Sequence, residues 1–376
     1  MNRIMSIKNR FANYAAFVVF AVITLVSLLS TILPLFDFEQ WYFRVFDYPR
    51  LQTFFLSLIA LVWFYFFYFK KSRQGVAFIV VLSLIILVQG YKAWPYTPLG
   101  IKQVKWAEKN TADTTTISLF ICNVLQDNTS YELVVSKIKK YSADIVITTE
   151  SNKIWENKLE VIKSEYPYLV PIPQDNKYGM HVYSKLRLRN TSKRFLLEDD
   201  IPSVRTEVQL RSGEWVHLFV VHPRPPFPTE DEDSKERDAE IIMVGREARK
   251  EKTGVIVAGD FNDVAWSETT ELFQEVSGFL DPRRGRGFYN TFHAKYPVFR
   301  WPLDHLFHSS HFKLVEIKRV EKVDSDHFPM FIKLSYEPED KGEQPEVQPD
   351  DDTEEKADEA IEEGKADVKD KQDKKE

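Results

Sequence analysis

Three stretches in the first hundred residues constrain this chain more than any other feature. They are FANYAAFVVFAVITLVSLLSTIL (11–33), LQTFFLSLIALVWFYFFYF (51–69) and GVAFIVVLSLIILVQGYKAW (75–94). A hydrocarbon core of ~30 Å takes about 20 consecutive apolar residues in a helix. Each stretch meets that length, and none keeps the polar face that a helix on a water-soluble protein needs. A cleaved signal peptide competes only for the first stretch, whose apolar run is too long and is followed by no small-residue cleavage site. The reading is three transmembrane helices within residues 1–95.

The flanking charges orient them. Arg3, Lys8 and Arg10 precede the first span, and Lys70, Lys71 and Arg73 fill the link between the second and third. Lys and Arg concentrate on the cytoplasmic side. The loop between the first two spans mixes Arg44 and Arg50 with Asp37, Glu39 and Asp47 and is rich in Trp41, Tyr42 and Phe43, so it faces outward. Three spans then place the N-terminus in the cytoplasm and everything after Trp94 outside it.

Residues 337–376 carry 18 acidic and 7 basic side chains, so the remainder of a chain of net charge −6 stands at +5. High charge with little apolar surface predicts a disordered, solvated tail. Cys122 is the only cysteine, which excludes an intrachain disulfide and a thiolate metal cluster. Inside an apolar strand it reads as a small core residue rather than a nucleophile.

After a linker (96–114), residues 115–336 alternate two periods. Strands are expected over 117–124, 143–150, 179–185 and 255–260, with a hairpin over 205–223 turned at Ser212-Gly213 and three strands after Pro302. Helices are expected over 130–142, 153–166, 229–252 and 267–277. Helices over sheets of mixed direction follow. The strands share an unusual ending. ISLFICNV carries Asn123, ADIVITTE ends at Glu150, WVHLFVVHP at His222, and VIVAGDFN at Asp260 and Asn262; PLDH supplies Asp304 and His305, and SDHFP supplies Asp326 and His327. One polar strand end is a turn. Six gather a site, because loops at strand ends collect side chains from distant sequence. Carboxylates and an amide suit a hard cation that keeps waters and meets substrate phosphate, and histidines beside them suit phosphoryl oxygens.

The ordered series ICNV, TTE, YGMHVYSK, VVHP, GDFN, PLDH and SDHFP resembles the endonuclease/exonuclease/phosphatase superfamily over residues 117–336, in the manner of a bacterial membrane-anchored member. The resemblance implies a DNase I-like α/β (α+β) four-layer sandwich, two mixed β-sheets packed face to face with outer helices. It implies a phosphoesterase using Mg²⁺, or Mn²⁺ in its place. Glu150 would be the main metal ligand, with Asn123 holding metal or phosphate and Asp326 completing the shell. Asp260 would orient and deprotonate the attacking water, Asn262 would donate to a phosphoryl oxygen, and His327, fixed by Asp304, would stabilise the developing charge. His222 would assist the leaving oxygen or bind phosphate. His305 stands where many relatives have tyrosine, a change that alters packing more than chemistry.

Two arginines are added as substrate contacts. Arg224 lies in the proline-rich HPRPPFP run, and Arg300 in 281–302, where Arg283, Arg284, Arg286 and Lys295 interleave with Phe288, Tyr289, Phe292, Tyr296 and Trp301. Such a mixture suits nucleic acid or a phospholipid headgroup. His181, His217, His293, His308 and His311, with Asp263, Tyr178 and Tyr183, are read as packing or surface groups. The expectation is a multi-pass protein of a bacterial inner (plasma) membrane whose catalytic domain faces the periplasm or exterior. It hydrolyses phosphoesters, with an endonuclease/exonuclease-type activity first and a phospholipid or small-phosphoester activity second. A catalytically idle binding module is the contrasting class. The bilayer and the substrate are the expected partners, and no protein partner is predicted.

Overall fold

The computed structural model describes residues 2–36, 38–67, 73–108 and 112–374. Two compact units divide the chain, Met1–Pro95 and Tyr96–Glu376.

The first unit contains α1 (Asn2–Ile32), the short α2 (Trp41–Arg44), α3 (Arg50–Phe67) and α4 (Arg73–Ala93), with α3 packed against both α1 and α4. Phe20, Ala60, Phe64, Leu82 and Ile85 form its core, and Phe20 stacks on Phe64 at 5.5 Å between ring centroids. Tyr14–Leu35 and Arg73–Tyr96 are long and apolar enough to cross a membrane. A third span results if Trp41–Asp47 and Arg50–Phe66, bent by 68°, count as one. The chain thus has two or three such helices among the described residues. Lys70 and Lys71, used above for orientation, lie outside them.

The second unit runs β1 (Thr116–Asn123), α5 (Tyr131–Tyr141), β2 (Ile145–Thr149), α6 (Lys153–Lys158), β3 (Tyr168–Ile172), β4 (Met180–Ser184), β5 (Leu188–Phe195), β6 (Pro202–Gln209), β7 (Trp215–Val221), α7 (Lys235–Ala248), β8 (Val255–Asp260), α8 (Glu268–Ser277), β9 (Asp304–His308), β10 (Phe312–Arg319), β11 (Met330–Tyr336) and α9 (Thr353–Asp373). One sheet is ordered β10-β11-β1-β2-β4-β3 and the other β5-β6-β7-β8-β9. Each has one parallel pair, β1–β2 and β7–β8, among antiparallel ones.

The strand period of two sorts side chains into layers. Ile117, Leu119 and Ile121 meet Leu218, Val220, Ile256 and Ala258 between the sheets, whereas Phe120 and Cys122 turn outward onto Val134 and Ile138 of α5. Phe219, Val221 and Val257 cover the other outer face, beneath Ile241 of α7 and Phe273 of α8. This is the expected four-layer sandwich of two mixed sheets. Cys122 is buried there, which raises its thiol pKa and suits a packing role.

Local differences from the sequence reading have physical causes. β3 contains a proline, and β5 (LRNTSKRF) is mostly exposed at a sheet edge, so neither shows an apolar alternation. The helix expected over 229–252 is confined to Lys235–Ala248, because Pro226 bridges to Asp231 and holds the preceding segment in turns. The expected helix at 153–166 closes early into a 3-10 turn at Leu159–Ile162.

The disordered tail is corrected. Residues 353–373 form α9, packed on α7 and α8. Thr353, Ala357, Ile361 and Gly364 recur at helical spacing and are buried, a narrow stripe that the average charge conceals. Lys371 Nζ lies 2.6 Å from Asp231 Oδ1 and 3.3 Å from Glu236 Oε1. At Gly364 a Cβ would overlap Ala239 of α7. Gly364→Val is therefore expected to separate the two helices and destabilise the full chain by about 1–3 kcal/mol. Faster proteolysis after residue 350 and a lower unfolding midpoint would show it; an unchanged midpoint would contradict the packing.

Candidate active site

Strand pairing brings the polar ends together. β1 and β2 run parallel with Asn123 beside Thr149, and β7 and β8 run parallel with Val221 beside Gly259, while β8 and β9 oppose Asp260 to Asp304. All these residues therefore leave their sheets at one edge of the sandwich. Glycine is required at 259, where φ is 146° and a Cβ would overlap the Val221 carbonyl oxygen. Glu150 (φ 53°), the residue after β2, and Asn262 (φ 52°), two residues after β8, turn left-handed, a conformation that costs energy for a side chain such as Glu and concentrates at functional sites.

Asp260 is the centre. It is fully buried, and its Oδ2 lies 3.0 Å from Asn123 Nδ2, 3.6 Å from His327 Nε2 and 3.9 Å from His222 Nε2. Its Oδ1 accepts from Asn262 N at 3.0 Å. Burial, with Asp304 behind it, pushes the carboxyl pKa up against the pull of His327, His222 and Asn123.

The two histidines adopt opposite charges. Burial works against a proton on His327, but Asp304, Asp260 and Asp326 outweigh it and raise its pKa to about 10, so the ring is an imidazolium at neutral pH. Its Nδ1 meets Asp304 Oδ2 at 2.7 Å, as the sequence reading expects of that pair. Burial lowers His222 to about 4 despite Asp260, so this ring is neutral. Its Nδ1 is buried and has no hydrogen-bond partner among the described residues, and a buried polar atom left so is costly unless a ligand takes it.

The acidic residues bear on metal binding. Asn123 Nδ2 donates to Glu150 Oε1 at 2.8 Å as well as to Asp260, and its Oδ1 accepts from Leu125 N at 2.9 Å. In this orientation Asn123 bridges the two carboxylates rather than offering its oxygen. Burial raises the Glu150 pKa to about 7, with Asp326 and Asp260 adding to it against Asn123 and His327. A buried carboxyl whose proton affinity is raised by burial and by two neighbouring acids fits a divalent cation, which would neutralise the cluster. Asp260, Asp304 and His327 also offer ligand atoms within 4.8 Å of one another. His327 Nδ1 is already bonded to Asp304, and Glu150, with Asp326 close enough to act on it, is a second set of groups that could hold a cation.

Arg224 is engaged within the protein. It pairs with Glu198 at 2.9 Å and with Asp200 at 3.3 Å, and its guanidinium sits 5.0 Å over Tyr178. Its charge is used to hold the loop that follows His222. Arg300 is half-buried at the edge of the site, donating to the Ala294 carbonyl at 3.3 Å, and forms no ion pair among the described residues. The basic aromatic segment divides accordingly. Arg283 is buried on Asp281 at 2.8 Å, Arg284 lies over Tyr96 and Arg286 over Trp106, leaving Lys295 and Arg300 near the site. Asn262 donates its side chain to the Pro223 carbonyl at 2.9 Å, so it also fastens the His222 loop. His305 bonds Arg283 and the Asp263 carbonyl inside the core, a packing role.

Several supporting residues carry no sequence signal of their own. Ser325 donates to the Asn123 carbonyl at 2.8 Å and accepts from His327 N at 3.0 Å, tying the last loop to the first strand. Arg237 of α7, fully buried, donates to the Asn262 carbonyl at 3.0 Å. Tyr178 packs its ring 5.3 Å from His222. His293 faces Asp326 and His327 closely enough to sense both charges. His181 and His308 are core groups, and His217 pairs with Glu251 at 3.2 Å.

Residues 118–327 match the model of the Endonuclease/Exonuclease/phosphatase family. Among solved structures, the chain is similar to D. rerio TDP2 complexed with single strand DNA product, at 16% identity over 59% of this chain and 99% of that chain, with a TM-score of 0.48. It is similar to the human Nocturnin catalytic domain with bound sulfate anion, at 15% identity over 60% and 96%, TM-score 0.48. It is also similar to an endonuclease/exonuclease/phosphatase from Bacteroides vulgatus, at 18% identity over 59% and 100%, TM-score 0.48. No curated protein matches the sequence.

The charge on His327 depends on Asp304. In the native chain its imidazole signals should stay protonated until pH rises through about 10. Removing the anion in Asp304→Asn should bring that titration downward by more than one unit. NMR titration of the ring nitrogens measures both, and an unmoved midpoint would remove Asp304 from the account.

Proposed function

The chain belongs to the endonuclease/exonuclease/phosphatase family, whose members are hydrolases acting on phosphoester bonds, and from that premise we propose that it is a membrane-anchored, Mg²⁺-dependent phosphoesterase that cleaves its substrate by direct attack of water. The observation that carries this reading is one buried carboxylate, Asp260, shared by an imidazolium and a neutral imidazole. Titratable groups whose surroundings drive their proton affinities apart divide acid from base work.

The division of labour follows from the atoms. Asp260, made more basic by burial, takes the proton of a water whose oxygen bonds to phosphorus. The charged His327 faces the phosphoryl oxygens and stabilises the charge that grows on them, and Asp304 keeps its ring oriented and protonated. His222 Nδ1 is left to hydrogen-bond a phosphoryl or leaving oxygen as the phosphorus–oxygen ester bond breaks. Glu150 and Asp326 would hold a divalent cation, with Asn123 positioning Glu150, and the bound ion would supply electrostatic stabilisation of the phosphoryl group.

The nucleic-acid reading drew on the +5 charge outside the tail. With α9 packed on α7, the tail's acidic charge belongs to the domain, and that argument weakens. A phospholipid or small phosphoester is favoured instead by the exposed loop at residues 295–299.

Full-length protein should hydrolyse an activated phosphodiester in Mg²⁺ and lose that activity in chelator. Asp260→Asn and His327→Ala are each expected to lower kcat at least about 100-fold. Unchanged rates in both variants would contradict the mechanism, and a folded wild-type protein inert toward phosphodiester, phosphomonoester and plasmid DNA would favour an idle binding module.

A further inference from the structure

Residues 295–299, Lys-Tyr-Pro-Val-Phe, are five consecutive exposed positions at the edge of the active site. Tyr296, Val298 and Phe299 are 57%, 66% and 57% exposed. The stem beneath them is fixed to the catalytic residues. Ala294 N donates to the Asp326 carbonyl at 2.6 Å, and the Phe292 ring lies 5.0 Å from that of His327. An apolar tip held out into water by a rigid stem marks an interaction site.

Cations gather beside it. Arg300, Arg319 and Lys322 lie 5.0, 4.4 and 6.0 Å from the centre of one ring, that of Phe328, the residue after His327. Among the described residues none of the three forms an ion pair, and Arg319 is held only by the Asn290 carbonyl at 3.0 Å. Like charges crowded without a carboxylate are unfavourable until an anion joins them, and guanidinium forks match phosphate. Single-stranded nucleic acid would use ring faces for stacking, but the most exposed of the three apolar residues is Val298, which has none. Apolar side chains flanked by Lys and Arg suit the headgroup–acyl boundary of an anionic bilayer, and this chain carries two or three helices able to tether it to one.

We infer that the 295–299 loop seats the active-site mouth on an anionic lipid surface, with Tyr296, Val298 and Phe299 entering the interface and Arg300, Arg319 and Lys322 meeting lipid phosphates. This rests on the membrane-anchored phosphoesterase reading and gives it a substrate class, a phosphoester presented at the bilayer surface.

The test uses the full chain reconstituted in vesicles of phosphatidylcholine alone or of equimolar phosphatidylcholine and phosphatidylglycerol. Cys122 is buried, so Val298→Cys can be labelled selectively with an environment-sensitive fluorophore. Lys250→Cys is the control, because it precedes β8 whereas Asp260 ends it, placing the label at the far end of that strand. The probe at 298 should brighten and be quenched by lipids brominated near the headgroup in the anionic vesicles, while the probe at 250 should not. Arg300→Gln with Arg319→Gln should lower the seating equilibrium by roughly thirtyfold, since each basic residue near an anionic leaflet is worth roughly fivefold. No brightening, equal brightening at both positions, or a response to a single-stranded oligonucleotide in place of lipid would overturn the inference. Repeating the measurement in Asp260→Asn separates the two readings, because docking should persist when hydrolysis is lost.

Discussion

A fully buried carboxylate is the constraint on which this site depends. Asp260 must lie within reach of His327, His222 and Asn123 at once. Burying it unpaired would be strongly unfavourable, so the surrounding groups cannot be arranged independently. His327 becomes charged because Asp260 and Asp304 are beside it, and His222 remains neutral because burial prevails over one shared carboxylate. Burial, with Asp326 and Asp260 adding to it, likewise raises the Glu150 pKa and suits it to a cation.

The sandwich makes that arrangement possible. Parallel pairs in both sheets carry strand ends to the same edge, and the close approach of β8 to β7 at Gly259 brings Asp260 toward His222. Loops then secure what the strands position. Ser325 fastens the His327 loop to Asn123, Asn262 and Arg237 join the loops after β7 and β8 to α7, and Lys371 of α9 reaches Asp231 in the segment that follows His222. Helix α9 is thus linked to His222 through Asp231, its neighbour Glu230, and Tyr178, whose hydroxyl donates to Glu230 at 3.0 Å.

Much of this was legible in the sequence because strand ends are local events. An apolar run bounded by Asn, Glu, His or Asp declares its own limits: Asn123, Glu150, His222 and Asp260 sit where such runs end, Asp304 where one begins and His327 just before another. Partner choice was less legible. Nothing near Arg224 in sequence reveals that Glu198 and Asp200 will claim it, and the same holds for Arg286, which donates to the Val104 carbonyl. Composition misled at the tail, where a four-residue buried stripe was averaged with eighteen acids. Edge strands such as β5 need no apolar alternation and gave no signal. Arg319 and Lys322 escaped notice because they gather on Phe328 only after β10 and β11 pair.

The central claim is that Glu150 and Asp326, gathered beside Asp260, hold a divalent cation. Mn²⁺ titration of the full-length protein followed by electron paramagnetic resonance tests it most directly. The account predicts binding that is lost in Glu150→Gln and retained in Arg224→Gln, whose side chain is committed to Glu198. Equal Mn²⁺ binding by the native chain and Glu150→Gln would contradict it.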